Sequence, residues 1–194
     1  PQEAIIKTRY KNVDIIPATN QLCEAELQLA DVEQRNHQLR KIILQVKDNY
    51  DIVIVDCLPS LGILAINEMI ACDRIIVPMV CEPFALEGLA QLMQTVKKVK
   101  RSANKELQLM GIVFTMLDKR LLASNEIMRD IKRTFPSDVI FKTEIPRNVR
   151  ITEAQSHGEP IIFYDKNSKG ADAYKRLAKE VLEKCREMEK KNEQ

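Results

Sequence analysis

Residues 50–62 read Tyr50-Asp51-Ile52-Val53-Ile54-Val55-Asp56-Cys57-Leu58-Pro59-Ser60-Leu61-Gly62. Four consecutive β-branched residues lie between two aspartates, which predicts a short strand buried on both faces, the kind found inside a parallel sheet. Asp56 then falls at the carboxyl end of that strand. Ligands of open α/β sheets bind at this edge, and a carboxylate placed there is how nucleotide hydrolases hold Mg²⁺ and its waters. An aspartate at such a point also caps loops, and the segment alone leaves both roles open.

Upstream, Val13-Asp14-Ile15-Ile16-Pro17 predicts a short strand stopped by proline. From about Gln21 to Asn49 the apolar residues Leu22, Ala25, Leu29, Val32, Leu39, Ile42, Ile43 and Val46 recur at helical spacing, with a break near Gln34-Arg35-Asn36. Downstream, helices are expected over Ile63 to Ala71 and Phe84 to Ser102, and strands over Asp73 to Pro78 and Leu107 to Met116. Lys97, Lys98, Lys100 and Arg101 crowd the end of the second helix, where they either complement its dipole or offer a basic surface. Ser124 is the expected N-cap of a helix carrying Ile127, Met128, Ile131 and Phe135, ended by Pro136. Val139-Ile140-Phe141 reads as a last short strand and Ile145 to Arg150 as irregular. A closing helix begins near Ser168, with Ala171, Tyr174, Ala178, Val181, Cys185 and Met188 as its packing stripe. Strands and helices alternating at these lengths imply right-handed βαβ units, so the expected fold is a doubly wound, mostly parallel α/β sheet in a single domain over residues 1–194.

Composition bounds the function. A hydrophobic content of 45%, a charged content of 30% and no apolar run near the ~20 residues of a membrane span are those of a soluble, intracellular protein. A start at Pro1, without Met or leader, reads as a processed end or a fragment. A net charge of +2 is too mild to argue for nucleic acid, so any such contact must rest on local clusters. Cys23, Cys57, Cys72, Cys81 and Cys185 are scattered without a C-x-x-C pair and read as reduced. His37 and His157 lack ligands at zinc spacing.

Several separate stretches resemble one family, the ParA/Soj chromosome- and plasmid-partitioning ATPases, grouped with MinD among the deviant Walker-A P-loop ATPases. Residues 50–62 are similar to the family's Walker-B and switch II segment. Cys81-Glu82-Pro83-Phe84-Ala85-Leu86-Glu87-Gly88-Leu89 resembles the stretch after its next strand, and Thr115-Met116-Leu117-Asp118-Lys119-Arg120 the loop with a DNA-contacting arginine. Residues 145–161, from Ile145-Pro146-Arg147-Asn148-Val149-Arg150 to Gly158-Glu159-Pro160-Ile161, and Tyr164-Asp165-Lys166-Asn167-Ser168-Lys169-Gly170-Ala171 match its C-terminal signature. Leu58, Thr152 and Gln155 depart from the usual residues without removing a charge or a metal ligand. The larger departure is the lack of any G-x-x-x-x-G-K-[ST] or K-G-G-x-G-K-T sequence and of the switch I aspartate.

The resemblance covers the C-terminal two-thirds of the family's domain, so the N-terminal strand and phosphate loop are expected to be absent from these 194 residues. It implies a P-loop NTPase-like fold in which Asp56 binds Mg²⁺ through water and Pro59, Ser60, Leu61 and Gly62 form the γ-phosphate-sensing switch. It implies an adenine pocket of Met116, Pro146, Arg147 and Asn148; a plain turn at Pro146-Arg147-Asn148 is the competing reading. Arg120, Arg147 and Arg150, helped by Lys97, Lys98 and Lys100, are the implied DNA contacts, against surface ion pairs to Asp118, Glu144 or Glu153. Cofactors are ATP and Mg²⁺; partners are non-specific DNA, a second copy in an ATP-dependent homodimer and a centromere-binding protein of the ParB/Spo0J type. No membrane contact is expected, and the location is cytoplasmic and nucleoid-associated. Without a phosphate loop the chain alone is expected not to hydrolyse ATP. A non-catalytic scaffold module of the same fold, or a MinD-like membrane-associated ATPase, is the alternative. A serine hydrolase is disfavoured, because Ser60 lies outside any G-x-S-x-G elbow.

Overall fold

The computed structural model describes residues 1–58, 60 and 62–192, except the side chains of Cys23, Glu189, Lys191 and Asn192. Pro59 and Leu61 of the expected switch lie outside the described residues. In chain order the elements are β1 (Ile6–Lys7), β2 (Asp14–Ile15), α1 (Leu22–Gln28), α2 (Gln38–Leu44), α3 (Ile63–Ala71), β3 (Arg74–Val80), α4 (Ala85–Ser102), β4 (Gln108–Thr115), α5 (Leu122–Thr134), α6 (Val149–Ser156), α7 (Ile161–Tyr164) and α8 (Lys169–Asn192). They form two compact units, one of Pro1–Asp73 with Leu92–Gln108, the other of Arg74–Gln91 with Leu109–Gln194.

In the first unit β1 and β2 pair antiparallel, Ile6 opposite Ile15 and Lys7 opposite Asp14. Asp14 also accepts a 2.8 Å hydrogen bond from the Tyr50 hydroxyl. The helical run over residues 21–49 breaks where expected, with Gln34 at φ 54° followed by a short 3-10 turn, Arg35–His37, that leads into α2. Buried Asn67 on α3 pins that turn: its amide donates to the carbonyls of Arg35 (2.9 Å) and Ile63 (3.0 Å) and accepts from the Leu39 N–H (3.2 Å). Buried Asn104 donates to the carbonyls of Met69, Ile70 and Cys72. It thereby satisfies acceptors that α3 leaves open at its C-terminal end. Leu64, Ala65, Met69 and Ile70 of α3 are buried, as are Val46, Val96, Val99 and Leu107.

The expected central strand is absent here. Residues 52–58 belong to no strand, and Ile54 is 88% exposed. Main-chain groups of a buried parallel strand need ladder partners on both sides. Among the described residues no strand pairs with this run, so the β-branched side chains that encode burial face solvent instead.

In the second unit β3 and β4 are hydrogen-bonded neighbours joined through α4. Met110 to Phe114 of β4 are all buried, as a strand covered on both faces requires. Gly111 sits where a Cβ would come within 2.8 Å of the Phe141 ring, so this strand must be bare there for the ring to lie on it. Parallel bridges link Ile112 to Ile140 and Leu117 to Pro146. The strand expected at Val139 to Phe141 shrinks to that single bridge, because a 3-10 turn over Ser137–Val139 uses its first residue.

Helix α5 starts at Leu122, ahead of the expected cap. Ser124 sits inside its first turn, and its buried hydroxyl donates to the Cys81 carbonyl at 3.1 Å. Met110, Val113, Phe141, Ile145 and Ala173 form a core onto which Ile151, Leu177, Val181, Cys185 and Met188 pack. The stripe of α8 is therefore Ala173-Leu177-Val181-Cys185-Met188; Tyr174 and Ala178 lie off it and are exposed. The Glu180 carboxylate accepts the main-chain N–H groups of Lys142 (2.6 Å) and Thr143 (2.9 Å). Burial alone would raise its pKa, but those N–H groups hold it below the ordinary glutamate value.

Candidate functional site

In the first unit Asp56 is an exposed residue on the stretch outside any strand, one residue before Cys57. Partial burial of the sulfur, and then a hydrogen bond to Glu68 of α3, push the thiol of Cys57, an otherwise exposed residue, up to about 12. Glu68 is itself raised by burial, and its Oε2 is buried without a hydrogen-bond partner among the described residues. Gly62 caps α3, and a Cβ there would overlap the Glu26 carboxylate of α1. Among the described residues no group of three His, Cys, Asp or Glu side chains could hold a metal ion. Mg²⁺ does not need such a cage, since one or two carboxylates completed by phosphate oxygens and waters suffice. An exposed Asp56 fits that ligand role. When bound, the ion neutralises phosphate charge.

In the second unit the chain leaving β4 and the chain entering α6 run side by side. Ile145 N–H donates to the Phe114 carbonyl (2.8 Å), Leu117 N–H to that of Ile145 (3.0 Å) and Arg147 N–H to that of Leu117 (3.1 Å). Met116 stands at this juncture, half exposed and at φ 48°. A bulky residue in the left-handed region costs about 1–3 kcal/mol, and such strain concentrates at functional sites. Phe84, at φ 68° and also exposed, is the other strained residue of this unit. Asn148 is half-buried, and its side-chain oxygen accepts the Arg150 N–H at 2.9 Å, capping α6. That bond leaves the NH₂ of Asn148 as the group it can turn to a base edge. Pro146 and Met116 supply apolar surface beside it.

The three arginines are carried by the same two segments. The Arg120 guanidinium grips Asp118 through Nε (2.9 Å) and Nη2 (2.6 Å). Arg120 beside it holds the Asp118 carboxyl down to about 2. Arg150 is held by two carboxylates, Glu153 from Nη1 at 2.7 Å and Asp165 from Nε at 3.4 Å. Arg147 is exposed and makes no ion pair among the described residues. Glu144, an expected arginine partner, pairs with Lys119 (2.7 Å) and Lys132 (3.4 Å) instead. Lys97, Lys98 and Lys100 are exposed on the part of α4 that belongs to the first unit, as Asp56, Ser60 and Gly62 do. Helix α6 was hidden by reading residues 145–150 as irregular, although Asn148 ahead of Val149-Arg150-Ile151 is a cap signal. The strain at Met116 and the pairing of Asp165 have no counterpart in local sequence pattern.

A family model described as an AAA domain matches residues 1–109. The chain is 48% identical over 178 residues to the sporulation initiation inhibitor protein Soj of Bacillus subtilis, covering 91% of this chain and 70% of that protein. It is 40% identical over 191 residues to the chromosome partitioning protein ParA of Caulobacter vibrioides, covering 97% and 71%. Among solved structures, cobyrinic acid a,c-diamide synthase of Mycobacterium smegmatis with bound ADP and magnesium superposes with a TM-score of 0.77 at 29% identity, over 94% of this chain and 66% of that one. The septum site-determining protein MinD of Pyrococcus horikoshii, complexed with Mg-ADP, does so at 0.70 and 25%, over 93% and 68%. The α/β fold is thus that of P-loop NTPases, with the chain spanning about two thirds of each of these structures. With identity this high across nearly all of its residues, the chain belongs to the ParA/Soj family of partitioning ATPases.

Proposed function

We propose that residues 1–194 are the ParA-type ATPase domain segment of a DNA-segregation protein that binds ATP with Mg²⁺, dimerises on doing so and then binds DNA without sequence preference. The observation that carries this reading is the pairing of residues 114–117 with residues 145–147. Met116 and Pro146 lie within these paired runs, Asn148 and Arg150 follow the second, Arg120 follows the first, and Arg147 is in the second, which supports the reading. An apolar surface with one amide donor suits a purine. Arginines that contact phosphate oxygens fix position without reading bases, which suits bulk chromosome. Asp56 supplies the Mg²⁺ ligand, and Ser60 and Gly62, with Pro59 and Leu61, the switch ahead of α3. The 194 residues hold no phosphate loop, so turnover belongs to a protein that carries this segment together with one. A centromere-binding partner of the ParB type is the expected stimulator. No helix among the described residues is long and apolar enough to cross a membrane, and the proposed location is the nucleoid.

The test is made on such a full-length protein. ATP with Mg²⁺ is expected to produce a dimer that retains unrelated duplexes, and Asp56→Ala to abolish Mg²⁺-dependent turnover. Turnover at the wild-type rate in Asp56→Ala would contradict the role of Asp56. Nucleotide-independent behaviour throughout would favour a scaffold.

A further inference from the structure

Both arginines with the strongest claim to DNA are already occupied by carboxylates of their own chain. Asp118 takes the Nε and Nη2 side of Arg120, and Glu153 and Asp165 take Nη1 and Nε of Arg150. The guanidinium fork fits carboxylate and phosphate in the same two-pronged way, and Asp118 sits on Arg120 as a phosphate would, while Glu153 and Asp165 each take one nitrogen of Arg150. Arg120, Arg147 and Arg150 carry three positive charges, and Asp118, Glu153 and Asp165 balance them with three negative ones. Carboxylates so placed weaken the pull of these three arginines on a polyanion.

Resting on the reading of these arginines as DNA contacts, we propose that Asp118, Glu153 and Asp165 are internal phosphate mimics that restrain the DNA surface until a phosphodiester displaces them. The arginine side of each pair is open to solvent, where a competing phosphate can reach it. The carboxylates belong to local structure that survives loss of their charge. Asp118 accepts the Arg120 N–H, Asp165 the Asn167 N–H, and Glu153 the Tyr164 hydroxyl, and an amide oxygen accepts equally well.

The experiment uses full-length protein with ATP and Mg²⁺, and fluorescence anisotropy on two unrelated duplexes across a salt series. Asp165→Asn and Glu153→Gln are each expected to tighten binding by about two- to fivefold, the double variant by more, with the gain fading as salt rises. Asp130→Asn, which unpairs Arg133 on α5, is the control for a charge change elsewhere and is expected to have a smaller effect. Circular dichroism melts confirm that each variant folds. Unchanged or weakened binding in both single variants, with wild type binding normally, would overturn the mimicry and make these carboxylates orienting partners. Failure of wild type and every variant to bind either duplex would overturn the DNA reading itself, and the proposal with it.

Discussion

Asp118 accepts three hydrogen bonds from a single residue, the main-chain N–H, Nε and Nη2 of Arg120. Its carboxyl is thereby lowered from 3.8 to about 2. The sign follows directly: above 3.8 both folded and unfolded chains carry the charge and the pair is fully formed, and as pH falls toward about 2 the pair is lost. Carbon-detected NMR should find the Asp118 side chain titrating near 2, and a midpoint at an ordinary aspartate value would show the pair to be unformed in solution. Cys57 is shifted the other way, its thiol up to about 12. Because the thiolate is the nucleophile, alkylation of Cys57 at about pH 8 is expected to be at least tenfold slower than that of a free cysteine peptide. Labelling at the peptide rate would show that neither burial nor Glu68 acts on it. Residue types at these positions were readable in the sequence. Partner choice was not, since Asp165 reaches Arg150 only through the turn that α7 and α8 impose.

Helix caps show where local pattern succeeds and where it misleads. Ser124 had the chemistry of a cap but lies inside α5, bonded to Cys81, because a hydroxyl can satisfy a distant carbonyl as easily as its own helix terminus. Asn148 is the cap that operates, and Asn148→Ala is expected to lower stability by about 1 kcal/mol in urea unfolding. No change would mean α6 is held by packing alone. The strand and helix order from Ile63 to Thr134 was legible because both periodicities are strong there. At Gly111 the reason for glycine appears only with the Phe141 ring laid against it. Gly111→Ala should therefore cost about 1–3 kcal/mol by overpacking in the same assay. A neutral result would mean that the ring gives way freely.

At the scale of the whole molecule, the run legible as the sheet's centre is an apolar segment open to solvent among the described residues. Ile52, Val53 and Ile54 are consecutive and exposed. Their hydrophobicity encodes a layer that these described residues do not provide. An open, β-rich apolar run is a template for association, so the 194-residue chain should self-associate at micromolar concentration and Ile54→Lys should reduce this in light scattering. Equal association in both would place the contact elsewhere. The site was legible as motifs, and the structure adds that residues 114–117 and 145–147 are hydrogen-bonded together on the runs that lead to Arg120 and Arg150. In the proposed function, this edge meets DNA phosphates without reading bases. That contact is tested most directly by measuring DNA affinity against salt concentration, with ATP, for full-length wild type, Arg120→Ala and Arg150→Ala on unrelated sequences. The account predicts that each variant weakens binding by a similar factor on every sequence and lowers the salt slope by about one, while ATP-dependent dimerisation survives. Wild-type affinity and salt slope in both variants would contradict it.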